Sequence, residues 1–476
     1  MARKFLVGGE WRASDETRDV VFPYDGTVVD AAYMASAQDL EDAVVAAQRG
    51  FEVTRKLPVH RRAEILSRLY RLLTERYDDL VEALVMETGK AKKIARGETS
   101  RACQTVLIAS EEAKRIYGEI IDLDWTPAGE NHRGYVRRFP VGIVLGITPF
   151  NYPLNLACHK IAPAIASGNA MIIKPPEIAP LSSLLLAELV LEAGYPPEAF
   201  SMVPTPGPRA EPLVSDDRIA MLSFTGSDRV GWMLKGKAGR KRVALELGGN
   251  APAIIHEDAD LDLAISKTVN GGFANAGQNC ISVQRILLHR PIYEDFCDRF
   301  IPAVGALKIG DPRDETTDIG PLINEKAAQR AAAWVDEAVA EGAQILTGGG
   351  QPTGSPATML APTVLAEVTP TMKVCAQEVF APVITLSPYE RWDDAIAIAN
   401  ESDFGLQAGV FTRDYGRIMD AWERIEAGGV LINEVSTFRV DQMPYGGVKG
   451  SGLGREGIRY TIEEMTERRL LVVNMA

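Results

Sequence analysis

Two amphipathic runs open the patterned part of the chain. Leu40, Val44, Ala47 and Phe51 recur at helical spacing, as do Ile65, Leu66, Leu69 and Leu72, with Leu57-Pro58 between the runs. The spacing predicts two helices between Asp39 and Arg76, then a further helical stretch from about Asp78 past Leu107. From Val141 the pattern changes. VGIVLGI (Val141–Ile147) is almost continuously apolar and β-branched, which predicts a buried strand. Helical spacing resumes from Leu154. It is followed by a strand over Ala170–Lys174, a helix over Leu181–Ala193, and strands near Phe200–Val203 and Ile219–Phe224. A helix from Ser227 and a strand over Arg242–Glu246 complete the run. Strands alternating with helices predict a parallel sheet covered on both faces. Ligands in such sheets sit beyond the carboxyl ends of the strands. Asn151, Lys174, Thr225-Gly226-Ser227 and Glu246 therefore belong to one rim.

A second α/β unit is predicted from about Asn250 to Val440. Its strands include Ala251–His256, Gln284–His289 and Pro382–Tyr389, with an Ala-rich helix over Ala327–Ala340. The tail RLLVV (Arg469–Val473) reads as one strand with no hairpin partner nearby. It needs a non-local partner, and another subunit is one option.

Composition narrows the class. The chain has 476 residues, 46% hydrophobic and 24% charged, which suits an ordinary globular protein of about three domains. A net charge of −13 argues against a nucleic-acid partner or an anionic membrane surface. The basic run Lys235, Lys237, Arg240, Lys241, Arg242 is read as a solvated loop or helix end rather than a phosphate track. The start lacks a leader-like apolar region, and no window is long enough to span a bilayer. Cys103, Cys158, Cys280, Cys297 and Cys375 are scattered, odd in number and without a CxxC pair, so reduced thiols and a cytoplasmic location are expected. The histidines lack ligand spacing, and no metal site is predicted.

Among the motifs, GLGREG (Gly452–Gly457) fits G-x-G-x-x-G but has too little chain after it to open a βαβ unit, so it is read as a turn. GGGQPTG (Gly348–Gly354) lacks the Lys-Ser/Thr of a phosphate loop and is read as a surface loop. ANAGQNCIS (Ala274–Ser282) places Cys280 at the end of a polar loop just ahead of an apolar strand. In VALELGGN (Val243–Asn250) a carboxylate, Glu246, interrupts an apolar strand before two glycines that permit close approach. Burying such a carboxyl is costly unless its raised pKa is useful.

Together these segments resemble the aldehyde dehydrogenase superfamily. SFTGSDRVGW, LELGGN, QEVFAPV and PYGGVKGSGLGREG match its motifs in order across essentially the whole chain, as do TPFN (Thr148–Asn151) and IIKPPE (Ile172–Glu177). The resemblance implies an α/β fold. A Rossmann-like parallel-sheet cofactor domain would span 1–119 and 141–247, and an α/β catalytic domain 248–450. A small β oligomerisation arm would span 120–140 and 451–476, in a homodimer or homotetramer. It also implies roles. Cys280 would be the nucleophile, Asn151 and the Cys280 N–H the oxyanion donors, and Glu246 the base that hydrolyses a thioester. Lys174 and Glu378 would hold sugar hydroxyls, Phe380 would flank the nicotinamide, and Gly226 and Ser227 would face the pyrophosphate. Ile147, Thr148, Pro149, Phe150, Gly207 and Leu247 would complete the cofactor cleft. Glu177, at the adenine ribose, would repel a 2′-phosphate and favour NAD over NADP. The loop PTPGPRAEP departs from the pattern, with one glycine (Gly207) where relatives often have two.

At the aldehyde side the resemblance places Arg101, Tyr152, Asn155, His159, Asn279, Ile281, Arg439 and Tyr445. Arg101, His159 and Arg439 converging on one funnel suggest an anionic substrate group, because guanidinium forks suit phosphonate, sulfonate or carboxylate. Arg101 and FRVDQMPYGG are similar to the branch of phosphonoacetaldehyde, lactaldehyde and non-phosphorylating glyceraldehyde-3-phosphate dehydrogenases. Phosphonoacetaldehyde, oxidised to phosphonoacetate, is the first expectation. Glyceraldehyde 3-phosphate, succinate semialdehyde and lactaldehyde are alternatives. A CoA-acylating enzyme and a catalytically silent scaffold remain as rivals.

Overall fold

A computed structural model describes residues 2–476. The first sheet has eight strands in the order Glu10–Arg12, Phe5–Val7, Phe200–Met202, Ala170–Lys174, Ile143–Ile147, Ile219–Thr225, Arg242–Glu246 and Gly452–Leu453. The five strands from Phe200–Met202 to Arg242–Glu246 are parallel, and antiparallel strands flank them on both sides. Each predicted strand of this unit is present. Helices Ala37–Thr54 and Val59–Glu75 break at the predicted Leu57-Pro58.

Two local readings change. The stretch from Asp78 past Leu107 is two helices, Tyr77–Thr88 and Lys92–Glu112, because Gly89 adopts a left-handed cap (φ +69°) that ends the first. The proline-rich segment around Gly207 is a helix, Gly207–Ser215. Pro206 and Pro208 flank its first residue, where a missing N–H has no helical partner to lose.

The second sheet has seven strands in the order Gln344–Thr347, Thr363–Ala366, Val383–Tyr389, Val283–His289, Ala251–Ile255, Gln407–Phe411 and Gly429–Ile432. All its pairings are parallel except that of the first two strands. The tail strand Thr466–Asn474 finds its partner within the chain. It pairs antiparallel with His132–Pro140, Leu470 opposite Val136, and Glu119–Asp122 completes a three-stranded arm. The arm's last strand starts later than the expected 451. Gly452–Leu453 belongs to the first sheet, and helix Ile458–Glu464 packs on Pro153–Ser167. Among the described residues no helix is long and apolar enough to cross a membrane.

Candidate active site

The carboxyl ends of the first sheet and the loop entering the second sheet's Val283–His289 strand meet at a cleft of about 850 Å³. Ile147, Thr148, Pro149, Phe150 and Asn151 line one wall, and Gly226, Ser227, Glu246 and Leu247 continue it. Cys280, Glu378 and Phe380 close it from the second sheet. Phe150 and Phe380 meet edge to face, 6.0 Å between centroids. Ser227 precedes helix Asp228–Lys237, whose N-terminal amides favour negative charge. Trp232, the last residue of SFTGSDRVGW, also lines the cleft, as do Arg330 and Trp334, which lie in no sequence motif.

Lys174, Glu177 and Gly207 do not line this volume. Lys174 is buried, which lowers its pKa, and its Nζ lies 3.3 Å from the Pro175 carbonyl. Glu177 is paired with Arg18 at 2.8 Å. A guanidinium from the strand Thr17–Val21 thus offsets the carboxylate expected to repel a 2′-phosphate. No local spacing links Arg18 to Glu177.

Cys280 is delivered by a strained turn. Asn275, Ala276 and Gly277 are consecutive left-handed residues (φ +54°, +54° and +68°). A non-glycine residue held there costs of order 1–3 kcal/mol and needs surrounding structure to enforce it. Here Asn275 Nδ2 donates to the Asn151 and Gln278 carbonyls, and Gln278 Nε2 donates to the Asn275 carbonyl. Asn151 Nδ2 donates to the Gln278 carbonyl at 3.2 Å, leaving its second N–H for a ligand. The segment is pinned from behind by the buried Lys90–Glu98 pair. Lys90 donates to the Asn151 carbonyl at 2.7 Å and sits over the Tyr152 ring, while Glu98 accepts from the backbone N–H groups of Leu154 and Asn155.

Burial pushes the Cys280 thiol up to about 11, and a hydrogen bond with Tyr445 works in the opposite direction. The two atoms, Sγ and the Tyr445 hydroxyl, lie 3.2 Å apart. Burial also holds Tyr445 well above the ordinary phenol range, so the phenol keeps its proton to donate. Asn279 Oδ1 turns back to the loop, accepting from the Ile281 N–H, and the buried Ile281 carbonyl accepts from Ser436. Glu246 is buried with neither oxygen hydrogen-bonded. Burial raises its pKa well above the usual carboxyl range, and the nearby charge of Glu456 adds to the shift. Glu378 accepts from the Gly249 N–H at 3.1 Å and is raised by burial to about 8.

The basic groups expected to form an open funnel are instead built into a buried network. Arg439, with a side chain 5% exposed, pairs with Glu456 at 3.1 Å and lies over the Tyr445 ring at 3.6 Å. Glu456 also pairs with buried Lys160, which reaches Ser223 and Thr225 at the sheet end. Arg101 and His159 both bond Asp441, at 2.7 and 2.8 Å. Burial, then Arg439, lowers the His159 pKa, so this ring is neutral. Asn155 accepts from Thr105. Arg439 and His159 are thus committed to protein partners, whereas Arg101 is one-third exposed and its Nε has no partner. Lys90, Glu98, Lys160, Asp441 and Glu456 were not singled out from sequence. Each is a common surface residue type, and only the fold buries them together. Glu456 lies inside the GLGREG segment that reads as a simple turn.

A parallel-sheet cleft holding a half-buried cysteine, an asparagine amide and an unpaired carboxyl is a site at which a thiol can add to a carbonyl. The aldehyde dehydrogenase family model matches residues 11–471, and the chain belongs to that family. It is 43% identical over 470 residues to a 3-sulfolactaldehyde dehydrogenase of Priestia aryabhattai, covering 98% of this chain and 97% of the other. Aldehyde dehydrogenase 21 of Physcomitrella patens, solved with the reaction product succinate, superposes with TM-score 0.97 at 38% identity, covering 100% of this chain and 98% of the other. The glyceraldehyde-3-phosphate dehydrogenase GapN of Methanocaldococcus jannaschii, solved with NADP, superposes with TM-score 0.92 at 37% identity, covering 97% and 100%. The chain is accordingly an aldehyde dehydrogenase.

The Tyr445–Cys280 contact has a measurable consequence. A hydrogen bond to a charged group is worth about 1.5–3 kcal/mol. Tyr445→Phe is expected to raise the Cys280 pKa and slow alkylation by iodoacetamide at pH 8 about tenfold or more. An unchanged alkylation rate would show that the contact does not stabilise the thiolate.

Proposed function

We propose that the enzyme oxidises a short aldehyde bearing an anionic group to its carboxylic acid, through a covalent intermediate on Cys280 and with NAD or NADP as acceptor. The observation that carries this reading is the convergence of Cys280, Asn151 and Glu246 on one cleft. The cleft suits a dinucleotide. Thr148 Oγ1 is buried in its wall without a partner, Phe150 and Phe380 supply a flat apolar surface, and Glu378 presents a buried carboxyl for sugar hydroxyls. Lys174 and Glu177 would take the adenine-side ribose, and Arg18 beside Glu177 leaves both cofactors admissible. When bound, the cofactor accepts the hydride released from the substrate carbon.

The chain's own residues do the rest. Cys280 Sγ, as thiolate, adds to the aldehyde carbonyl. The uncommitted N–H of Asn151 and the Cys280 backbone N–H stabilise the resulting alkoxide. Loss of hydride leaves a thioester on Cys280. Glu246 then takes a proton from water, which attacks the thioester and releases the acid and the thiolate. This role requires ionised Glu246, so burial and the Glu456 charge set the pH at which hydrolysis switches on.

The substrate reading rests on local charge. While Glu246 is protonated, Arg101, Arg439 and Lys160 face Asp441 and Glu456 with one positive charge to spare, and Arg101 Nε is a buried donor without a partner. One surplus charge suits a single sulfonate or carboxylate. That moves the doubly charged phosphonate of phosphonoacetaldehyde to second place. The sulfonated aldehyde in the name of the Priestia relative is in line with this order. The five free cysteines suit a cytoplasmic enzyme.

The arm supports a homo-oligomer. Leu470 and Leu471 point to opposite faces of the three-stranded sheet, yet are 58% and 61% exposed, and Ile120 is 70% exposed. A small sheet wet on both faces is not stable alone, and a second copy of the chain would cover it.

Three measurements test these readings. Glu246→Gln is expected to slow thioester hydrolysis about 100-fold or more, turning steady NADH formation into a single burst. In the parent enzyme hydrolysis should rise with pH through the elevated Glu246 pKa, and in the variant that rise should vanish. A steady rate retained in the variant would remove Glu246 from the base role. Arg101→Ala should cut kcat/KM about 10- to 100-fold for 3-sulfolactaldehyde and succinate semialdehyde, while changing propanal little. Equal losses on all three would return Arg101 to a structural role. Light scattering should give a dimer or tetramer that Leu470→Asp/Leu471→Asp breaks down, and a monomeric parent would overturn the arm's assignment.

A further inference from the structure

One cluster of titratable side chains outside the active site has no role in the chemistry above. The strands Ala251–Ile255, Val283–His289 and Val383–Tyr389 run parallel as neighbours, so their carboxyl ends bring His256, His289 and Tyr389 together. Cys280 precedes the amino end of the middle strand, which places the cluster roughly 20 Å from the nucleophile for a seven-residue strand. The two imidazoles stack, 4.3 Å between centroids and 15° between planes, and Trp392 meets His256 edge-on.

Packing explains the stack but not its hydrogen bonds. His289 Nε2 lies 3.1 Å from the Glu390 carbonyl. A carbonyl only accepts, so this nitrogen holds a proton, and in the neutral ring Nδ1 is a lone pair. That Nδ1 is buried without a hydrogen bond, 3.6 Å from Glu257 Oε2. His256 Nδ1 lies 2.8 Å from the Tyr389 hydroxyl, which itself donates toward the Ile255 carbonyl. With the Tyr389 hydroxyl donating to the Ile255 carbonyl, 3.4 Å away, His256 Nδ1 is the donor and Nε2 a second lone pair, also buried without a partner. In these neutral tautomers two lone pairs and a carboxylate face one another with no proton between them. One nitrogen of each ring and a Glu257 oxygen lie within 4.8 Å of one another.

The geometry points to a binding site for one divalent transition ion of the Zn²⁺ type, held by His256, His289 and Glu257. Two imidazoles and a carboxylate are a donor set such ions take, with water completing the shell. Each ring's other nitrogen already bonds a group that fixes its tautomer and its aim, as second-shell partners of metal-binding histidines do. Glu257 is half exposed and opens the site to solvent. Ligand distances of about 2.0–2.2 Å require the donors to draw together. The partly exposed His289 ring must tilt out of the stack to converge. This departs from the sequence expectation of no metal site, which rested on linear spacing. His256 and His289 sit on separate strands and become neighbours only in the sheet. An ion here would clamp the ends of two core strands, and the inference does not depend on the aldehyde reading.

The test uses the full chain carrying Cys280→Ser, which removes the active-site thiol as a competing ligand, after chelator treatment and dialysis. Titration calorimetry with Zn²⁺ is expected to show one ion per chain with micromolar or tighter affinity. His289→Ala and Glu257→Gln should each weaken binding at least tenfold while leaving the metal-free melting temperature within a few degrees. Co²⁺ substitution should give visible d–d absorption that His289→Ala abolishes. Absence of Zn²⁺ binding, or binding that neither variant alters, would reduce the cluster to an aromatic stack.

Discussion

The site depends on the mutual neutralisation of charges buried where the two sheets meet. Glu456 sits between Lys160 and Arg439, and Asp441 between Arg101 and His159. An unpaired charge at such depth costs several kcal/mol, so removing Glu456 would strand both Lys160 and Arg439. The network also fixes the environment of the reacting groups. Arg439 lies against Tyr445, Tyr445 against Cys280, and the negative Glu456 opposes ionisation of Glu246. Stability of the domain junction and reactivity of the cleft are therefore set by the same side chains.

The cofactor-side sheet was legible because its five central strands are short apolar runs separated by clear helices. Strands at the margins were not. Gln407–Phe411 and Gly429–Ile432 contain glycine, and Gly452–Leu453 is two residues long. Periodicity has little to act on there, and pairing with a pre-formed sheet decides the outcome. The helix break at Gly89 was missed because apolar spacing continues through it, whereas backbone sign does not show in a hydrophobic pattern.

Cys280, Glu246 and Asn151, which motif and chemistry single out together in the sequence, do line one cleft. The site was not legible where two distant surface-type residues meet. Arg18 meeting Glu177, Lys90 meeting Glu98 and Arg439 meeting Glu456 are long-range pairings that alter what each charge can do. The family motif located Glu177 but not the guanidinium that cancels it. Arg439 likewise occupies the expected region, while its charge is directed inward.

The turn Asn275–Gly277 bears on how turnover is timed. A loop free to sample its conformations would have to find the reactive one before each substrate could be attacked, and that search would appear as an entropic part of every barrier. Here three left-handed residues, cross-bonded to Asn151 and Gln278, make the choice once, when the chain folds. The strain is then a fixed cost against the modest net stability of the fold, while the Cys280 sulfur is held in place before any ligand enters the cleft.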